Sequence, residues 1–278
     1  MKLLEFAGRN MLVLDGAMGT MLQNGFDVRS VHKAYLEAGA NMILTNTFAD
    51  NSDENIALSV KIAKDVAADY SAYVGADIAP TGQLLEPLGT LKADDAYSIF
   101  KRQAIAADKA GADAIYIETF ADLLEAECAV RAAKENCNLP VFCTMSFDEN
   151  MRTFMGTDIP SMARALTELG VDFLGINCSV GPAEMKNMAA QLIKCTHLPI
   201  IIKPNAGLPH IENGCTVYRV TPEEFALEMA AIADLGVAGI GGCCGTTPSF
   251  IEKLAIIARE GLRSRKPASV PRMVPGTN

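Results

Sequence analysis

Features that direct a chain to nucleic acid or to a membrane are missing from this 278-residue sequence. Its net charge is -9, so it has no excess of Lys and Arg to contact phosphates or an anionic lipid surface. No apolar run reaches the roughly 18 residues that a membrane-spanning helix needs. The N-terminal stretch MKLLEFAGRNMLVLDG meets an acidic residue too early for a secretory leader. We therefore expect a cytoplasmic protein that binds neither nucleic acid nor membranes.

The sequence also lacks long linkers and low-complexity stretches. Short apolar runs alternate with longer amphipathic segments, which is typical of βα units and a parallel sheet. The runs predicted as strands end at Asp15, Thr45, Ala79, Glu118, Ser146, Asn177, Lys203 and Gly242. Helices are predicted over about 29–38, 53–72, 94–110, 122–136, 158–169, 182–195, 222–235 and 248–262.

Eight βα units without a spacer favour a closed barrel over an open, doubly wound sheet. An open sheet usually carries a Gly-rich phosphate-binding turn after its first strand, and DGAMGTML resembles such a turn only loosely. We predict an α/β protein, a single-domain (β/α)8 TIM barrel over residues 1–262. An extended, basic and Pro-rich tail is predicted over residues 263–278.

The carboxyl ends of the strands of such a barrel share one face, and the side chains there converge on one site. Cys178 follows the predicted sixth strand, and Cys243 and Cys244 follow the eighth, so three thiols distant in sequence should meet at the barrel mouth. The strand-end set as a whole comprises Asp15, Asn46, Asp77, Glu118, Ser146, Asn177, Cys178, Lys203, Asn205, Cys243 and Cys244.

The other cysteines carry less information. The chain is much larger than small disulfide-dependent scaffolds, so reduced thiols are expected. Cys128, Cys137 and Cys195 fall in helical patterns and Cys143 in the apolar strand VFCTM, so we interpret these four as packing residues. The role of Cys215, in the predicted loop ENGCTVY, stays open.

Three converging thiols are most simply zinc ligands, because soft thiolate sulfurs suit this ion. Cys243 and Cys244 can face one ion only if the backbone leaves strand geometry, which the flanking glycines of GGCCG allow. No histidine lies at a strand end, so zinc would keep an open position, as catalytic sites do. Three thiolates make zinc a weak Lewis acid that still holds a fourth thiol as thiolate, which favours alkylation of a thiol substrate.

Two other interpretations of the Cys243–Cys244 pair remain open. Adjacent cysteines can form a strained redox disulfide, or they can be two small packing residues beside glycines. The expected convergence of Cys178 on the pair favours the metal site over both.

Six segments of the sequence resemble the homocysteine S-methyltransferase family. This family includes the homocysteine module of cobalamin-dependent methionine synthase, to which the sequence is more similar, and betaine homocysteine methyltransferase. The segments are LDGAMGTML (14–22), AGANMILTNTF (38–48), ETFADLLEA (118–126), INCSVGP (176–182), KPNAG (203–207) and GGCCGTTP (241–248).

The resemblance implies a zinc enzyme that moves a methyl group to the sulfur of homocysteine, giving methionine. Cys178, Cys243 and Cys244 would hold Zn²⁺, and the homocysteine sulfur would take the open position. Asp15 and Glu118 would receive the ammonium of the substrate. Backbone N–H groups of the turn with Gly16, Ala17, Gly19 and Thr20 would receive its carboxylate, and Asn46, Asn177 and Asn205 would orient neighbouring groups of the substrate site.

The sequence departs from the family pattern in two ways. The segment from Gln23 to Val31 is shorter than in most members, so a loop that would cover the substrate is trimmed. A D-x-H-x-x-G corrinoid signature is absent, so methylcobalamin would have to arrive on a separate protein, or the donor is a small methyl-onium or sulfonium compound. The alternatives are a subunit of a corrinoid system that uses another thiol or donor, and a non-catalytic zinc or redox protein.

Overall fold

A parallel sheet of eight strands curves into a barrel in this computed structural model. The structure describes residues 1–212 and 214–264 and, of residues 215 and 261–264, the backbone alone. The strands are β1 (Leu12–Val13), β2 (Met42–Leu44), β3 (Tyr73–Ile78), β4 (Ala114–Phe120), β5 (Val141–Met145), β6 (Phe173–Asn177), β7 (Ile200–Lys203), β8 (His210–Glu212), β9 (Cys215–Val217) and β10 (Gly239–Ile240).

The order of strands around the sheet is β1-β10-β7-β6-β5-β4-β3-β2, while β8 and β9 form a separate antiparallel pair. A parallel bridge between Leu14 and Met42 joins the two ends of the sheet, and the Asp15 N–H donates to the Met42 carbonyl at 3.1 Å. These contacts close the barrel, and the predicted (β/α)8 fold is confirmed.

Each predicted helix corresponds to one helix of the structure. The helices are α1 (Leu3–Ala7), α2 (Met18–Gln23), α3 (Val28–Glu37), α4 (Asp53–Ala67), α5 (Ala93–Ala110), α6 (Leu123–Asn136), α7 (Ile159–Glu168), α8 (Pro182–Cys195), α9 (Pro222–Asp234) and α10 (Pro248–Ser264). The short helices α1 and α2 were not predicted, because five or six residues give too little periodicity. The predicted helix 53–72 ends early, since a 3-10 turn at Ala68–Tyr70 follows α4.

Several helix starts follow directly from local side-chain chemistry. Ser52 and Asp122 accept hydrogen bonds from the N–H groups of Asn55 and Leu124, respectively. Thr221 forms a complete capping box with the glutamate three residues later. Such caps satisfy N–H groups that the helix itself leaves without acceptors, and they fix where each helix follows its strand.

The core has two apolar layers. Inside the barrel, the rings of Tyr116, Phe142 and Phe173 stack with centroid separations of 5.4 and 4.1 Å, and buried Leu3 of α1 packs against this inner cluster. A larger cluster fills the space between the outer faces of the strands and the helices. The interior is therefore a packed core, and the loops that follow the strands are left to form a site.

Two predictions near the C-terminus need comment. Helix α10 continues to Ser264, two residues into the predicted tail, and the rest of that tail, residues 265–278, lies outside the described residues. Cys215 lies in β9 of the hairpin that follows β7, so the loop prediction for this segment was wrong. Across the part of the chain that the structure describes, no helix combines the length and apolarity needed to cross a membrane.

Candidate metal centre and substrate site

Three cysteines meet at the carboxyl ends of β6 and β10. The sulfur atoms of Cys178, Cys243 and Cys244 all lie within 4.8 Å of one another, and those of Cys178 and Cys244 are 3.4 Å apart. Among the described residues, these three form the one group of His, Cys, Asp or Glu side chains close enough together to hold an ion. The convergence predicted from the strand pattern is present.

Unusual backbone turns bring the thiols together. Cys178 has a left-handed conformation with φ of 48°, which is uncommon for a residue with a side chain. Cys243 and Cys244 leave β10 in an irregular turn, where the Thr246 hydroxyl donates to the Cys243 carbonyl at 2.7 Å. Gly245 has φ of 80°, and a Cβ there would lie 2.2 Å from the ring of Tyr218. Both neighbouring thiols can therefore face one point.

The three thiols share charge. Hydrogen bonds from Cys178 and Cys243 lower the pKa of the Cys244 thiol to about 3, so the cluster as a whole readily gives up one proton. Hydrogen bonds to Cys178 and Cys244, reinforced by burial, raise the pKa of Cys243 well above its usual range. A cluster with one thiolate and two closely placed thiols has the character of a cation site that releases further protons on metal binding.

The donor set fits zinc. Zinc–sulfur bonds of about 2.3 Å in a tetrahedron imply sulfur separations of about 3.8 Å, which the observed spacing accommodates with small side-chain adjustments. Within the described residues, no histidine or carboxylate completes a fourth protein ligand in the cluster. Three protein ligands with one open position are typical of catalytic zinc.

Asn177 links the thiols to the neighbouring strand ends. Its Oδ1 accepts from the Thr119 N–H at 3.0 Å and the Thr144 hydroxyl at 2.8 Å. Its Nδ2 donates to the Thr119 hydroxyl at 2.7 Å and lies 3.9 Å from the Cys243 sulfur. Since Asn177 is fully buried, these bonds tie the residue before Cys178 to the ends of β4 and β5.

A cavity of about 340 Å³ adjoins the thiols. Its wall contains most of the residues predicted for the substrate site. These are Asp15, Gly16, Ala17, Gly19, Thr20, Asn46, Glu118, Cys178, Cys243 and Cys244, together with Asp77 and Lys203.

Asn205 and Asn177 do not line this cavity. Asn205 is buried near the Cys243–Cys244 turn, its N–H donates to the Val180 carbonyl at 3.1 Å, and its Oδ1 has no partner among the described residues. Asn46 does reach the wall, and its carbonyl accepts from the side chains of Asn55 and Ser59, both at 3.3 Å. Only Asn46 of the three predicted asparagines thus has a place at the cavity surface.

Lys203 is a central charged residue that sequence reasoning left without a role. Its ammonium is 3.2 Å from Glu118 Oε2, 3.7 Å from Asp15 Oδ1 and 5.2 Å from the centre of the Tyr116 ring. Burial alone would favour the neutral amine, but the negative charges of Glu118 and Asp15 raise the pKa of Lys203 well above its usual range. Lys203 therefore stays charged. The sequence could have indicated a place for Lys203 in the site, because this residue ends a predicted strand.

Asp15 is an anchor at the end of β1. Its Oδ2 accepts from the Leu44 N–H at 2.8 Å, which ties β1 to β2. Burial raises its pKa to about 6, against the opposing effect of Lys203. Asp15 is therefore mostly ionised at neutral pH but poised to take a proton under mildly acidic conditions.

The turn after β1 is fastened to the cysteine turn. The Ala17 N–H donates to the Thr246 hydroxyl at 3.2 Å, and the Gly245 N–H donates to the Thr20 hydroxyl at 3.2 Å. A Cβ on Gly16 would lie 2.6 Å from Thr246 Oγ1, so only glycine fits there. Two of the six segments that carry the family resemblance, LDGAMGTML and GGCCGTTP, thus build one wall of the cavity. At this wall the first N–H groups of α2 have no acceptor within the helix.

Fold and site together define a (β/α)8 barrel with a cluster of three thiols and an acidic cavity at its mouth. The chain belongs to the homocysteine S-methyltransferase family, whose sequence model matches residues 12–257. The predicted family, and with it the S-methyltransferase class, is confirmed.

Individual relatives agree with this assignment. The chain is 32% identical to methionine synthase of Mycobacterium leprae and 30% identical to methionine synthase of Mycobacterium tuberculosis, in each case over 91% of this chain. It spans about a quarter of the length of these relatives, since the matched part is 25% of each.

Solved structures share the fold. The homocysteine methyltransferase MmuM from Escherichia coli matches in its apo form with a TM-score of 0.74 and 24% identity, over 89% of this chain and 96% of that one. Its metallated form matches with a TM-score of 0.74 and 22% identity over the same shares. At this identity the likeness shows the barrel fold.

Proposed function

We propose that the protein methylates the sulfur of homocysteine to give methionine, and that it does so with zinc. The observation that carries this proposal is the three-thiol cluster in the wall of a cavity of amino-acid size. Family membership supplies the substrate class, and the cluster supplies a place to hold a fourth sulfur.

The chain would hold Zn²⁺ with Cys178, Cys243 and Cys244. Bound there, zinc would supply an open position for the substrate thiol and keep that thiol deprotonated and nucleophilic. Asn177 holds the backbone before Cys178, and Thr246 holds the backbone at Cys243. The positions of the cysteine sulfurs are thus fixed before the substrate binds, and they set the direction of the open position that the substrate thiol would take. The homocysteine thiol would lose its proton when it binds. Its sulfur would then form a bond to the methyl carbon of the donor, and the bond between that carbon and the donor would break, with its electron pair left on the donor.

The cavity also suits the amino-acid end of homocysteine. Asp15 and Glu118 would give the ammonium a negative surrounding, and backbone N–H groups of the turn from Gly16 to Thr20 would receive the carboxylate. The Ala17 N–H is already engaged by Thr246, so it is not counted among them. These contacts would fix the substrate at both ends, with its sulfur at the metal.

For the donor, we propose methylcobalamin carried by a corrinoid-binding domain. Support comes from the methionine synthase relatives, of which this chain covers a quarter, and from exposed apolar side chains on the active-site face. Leu88 and Phe154 lie in the loops after β3 and β5, Leu124 lies in the first turn of α6, and the three side chains are 68%, 87% and 44% exposed, respectively. Leu88 and Leu124 share a surface cleft of about 390 Å³ with Met155. Exposed apolar clusters of this kind mark interaction surfaces.

A parallel donor assay tests the function. The zinc-loaded full chain is given homocysteine with methylcobalamin, free or on a corrinoid protein, with betaine or with S-methylmethionine, and methionine is measured. We expect product from at least one donor, and methylcobalamin is the expected one. Zinc bound at one equivalent without product from any donor would contradict homocysteine as the acceptor and favour another thiol. Reversible thiol oxidation without bound zinc would favour a redox protein.

A further inference from the structure

One carboxylate in the cavity wall has no hydrogen-bonding partner. The backbone of Asp77, in β3, is fixed, because its N–H donates to the Thr45 hydroxyl at 2.9 Å and its carbonyl accepts from the Thr47 hydroxyl at 2.6 Å. Its side chain is only 6% exposed and lines the cavity, yet Oδ1 has no partner among the described residues. Leaving a buried carboxylate oxygen unpaired is costly, so a ligand that pairs with it would be bound strongly.

The charged groups around Asp77 contain more carboxylates than ammonium groups. Lys203 forms ion pairs with Glu118 and Asp15, and Asp77 has no ion pair within the described part of the chain. Glu118 Oε2 is also 3.5 Å from the Asn177 amide, whereas Asp15 Oδ1 has no hydrogen bond. Three carboxylates thus face one ammonium, and Asp77 is the one that forms no ion pair with Lys203.

We propose that Asp77, together with Asp15, binds the α-ammonium of the thiol substrate, while Lys203 occupies Glu118. The inference rests on the proposed function and adds Asp77 to the residues that select an acceptor with a protonated amine. An ammonium group placed there donates to Asp77 Oδ1 and Asp15 Oδ1 and neutralises part of the negative charge. A thiol without an amine leaves Asp77 Oδ1 without a partner.

The electrostatics of Asp77 agree with a missing cation. Burial, followed by the charge of Glu118, raises the pKa of this carboxyl well above its usual range, and Asp15 adds to the effect. A bound ammonium would act in the opposite direction and favour the ionised carboxylate.

The test compares two ligands on two proteins. Homocysteine and 4-mercaptobutanoate, which lacks only the α-amino group, are titrated calorimetrically into the zinc-loaded full chain and into its Asp77→Asn variant. Asp95→Asn, at an exposed acid in the first turn of α5, is the matched control. Zinc content and melting temperature are measured for each protein, and Asp77→Ser provides a second variant should the asparagine repack the cavity.

We expect Asp77→Asn to weaken homocysteine binding by about 10- to 100-fold, as loss of a charge-assisted hydrogen bond does. Binding of 4-mercaptobutanoate should change by less than about twofold, with zinc content unchanged and the melting temperature not lowered. If both Asp77 variants lost affinity equally for the two ligands, or lost none for homocysteine, the role of Asp77 would be overturned while the proposed function would stand. Failure of the wild-type chain to bind homocysteine would overturn the proposed function as well.

Discussion

Cys178 occupies a left-handed backbone position that a residue with a side chain seldom adopts, and its sulfur is 3.4 Å from that of Cys244. The surrounding network holds it there, since its N–H donates to the Lys203 carbonyl at 3.2 Å and the side chain of Asn177 binds the backbone of Thr119. A strained residue held in this way beside two further thiols points to a functional role for its side chain.

Replacing Cys178 should therefore separate metal binding from folding. We expect Cys178→Ser to lower zinc from one equivalent to well below half and methyl transfer by at least about 100-fold, because a hydroxyl is a poor substitute for a thiolate ligand. Zinc is measured by metal analysis and activity by methionine formation.

The control is Cys195→Ser on α8. The Cys195 thiol donates to the Gln191 carbonyl at 3.2 Å, a bond that a serine hydroxyl can make equally well. Zinc and activity should stay at the wild-type level. Equal zinc in the Cys178 variant would show that the metal lies elsewhere.

Asp15 gives the site a dependence on pH. Burial raises its pKa from 3.8 to about 6, so the carboxyl is neutral below that pH and ionised above it. Because the substrate thiol loses its proton on binding, affinity for homocysteine should rise about tenfold per pH unit over the whole range, and because the ammonium prefers ionised Asp15, the slope should steepen to about 100-fold per unit below pH 6. Calorimetric titration between pH 5 and 7.5 measures this slope.

Loss of zinc in acid could imitate that slope, so metal content must be followed at each pH. The Asp15→Asn variant has no carboxyl to titrate, so it should bind homocysteine weakly and keep only the slope due to the thiol, without the steeper part below pH 6. An unchanged slope in this variant would assign the pH dependence to another group.

At the scale of elements, the turn after β10 carries the two neighbouring cysteines. Gly245 has φ of 80°, and a Cβ there would lie 2.2 Å from the Tyr218 ring. We expect Gly245→Ala to displace the turn, to lower zinc affinity at least about tenfold and to cost about 1–3 kcal/mol of folding free energy. Zinc affinity is measured by competition with a chelator, and stability by urea unfolding.

Gly111 is the matched control for this prediction. It ends α5 with φ of 88°, and nothing lies within 4 Å of where its Cβ would be. Gly111→Ala should lose a similar part of its stability through backbone strain and keep its zinc affinity. Equal zinc loss in both variants would mean that reduced stability, rather than the cysteine turn, controls metal binding.

The elements differ in how far the sequence predicts them. Long amphipathic helices and β-branched runs have strong periodicity, which is why the eight βα units and the meeting of Cys178 with Cys243 and Cys244 follow from the pattern alone. Asp77 and Lys203 could be placed at strand ends but not paired, because their contacts depend on side-chain directions inside the barrel. The hairpin β8–β9 and helix α2 are too short to show a period.

At the scale of the whole molecule, the catalytic face of the barrel has to admit both a small thiol and a methyl donor. The exposed apolar side chains in the loops after β3 and β5 and in the first turn of α6 lie on that face, whereas the inner and outer apolar clusters are buried. Apolar side chains gain free energy when a partner covers them, so this face suits a donor carried by a protein better than one that diffuses freely.

Removing this apolar surface should therefore distinguish the two kinds of donor. We expect the double variant Leu88→Ser, Phe154→Ser to raise KM about tenfold for a methylcobalamin-charged corrinoid domain of a methionine synthase, and to change the rate with free methylcobalamin less than twofold. Leu227→Ser on α9 removes a side chain that is 73% exposed on the outer helical layer and should change neither value. An equal effect on both donors would place these residues in the chemistry of the site, and no effect on either would exclude this face as the donor surface.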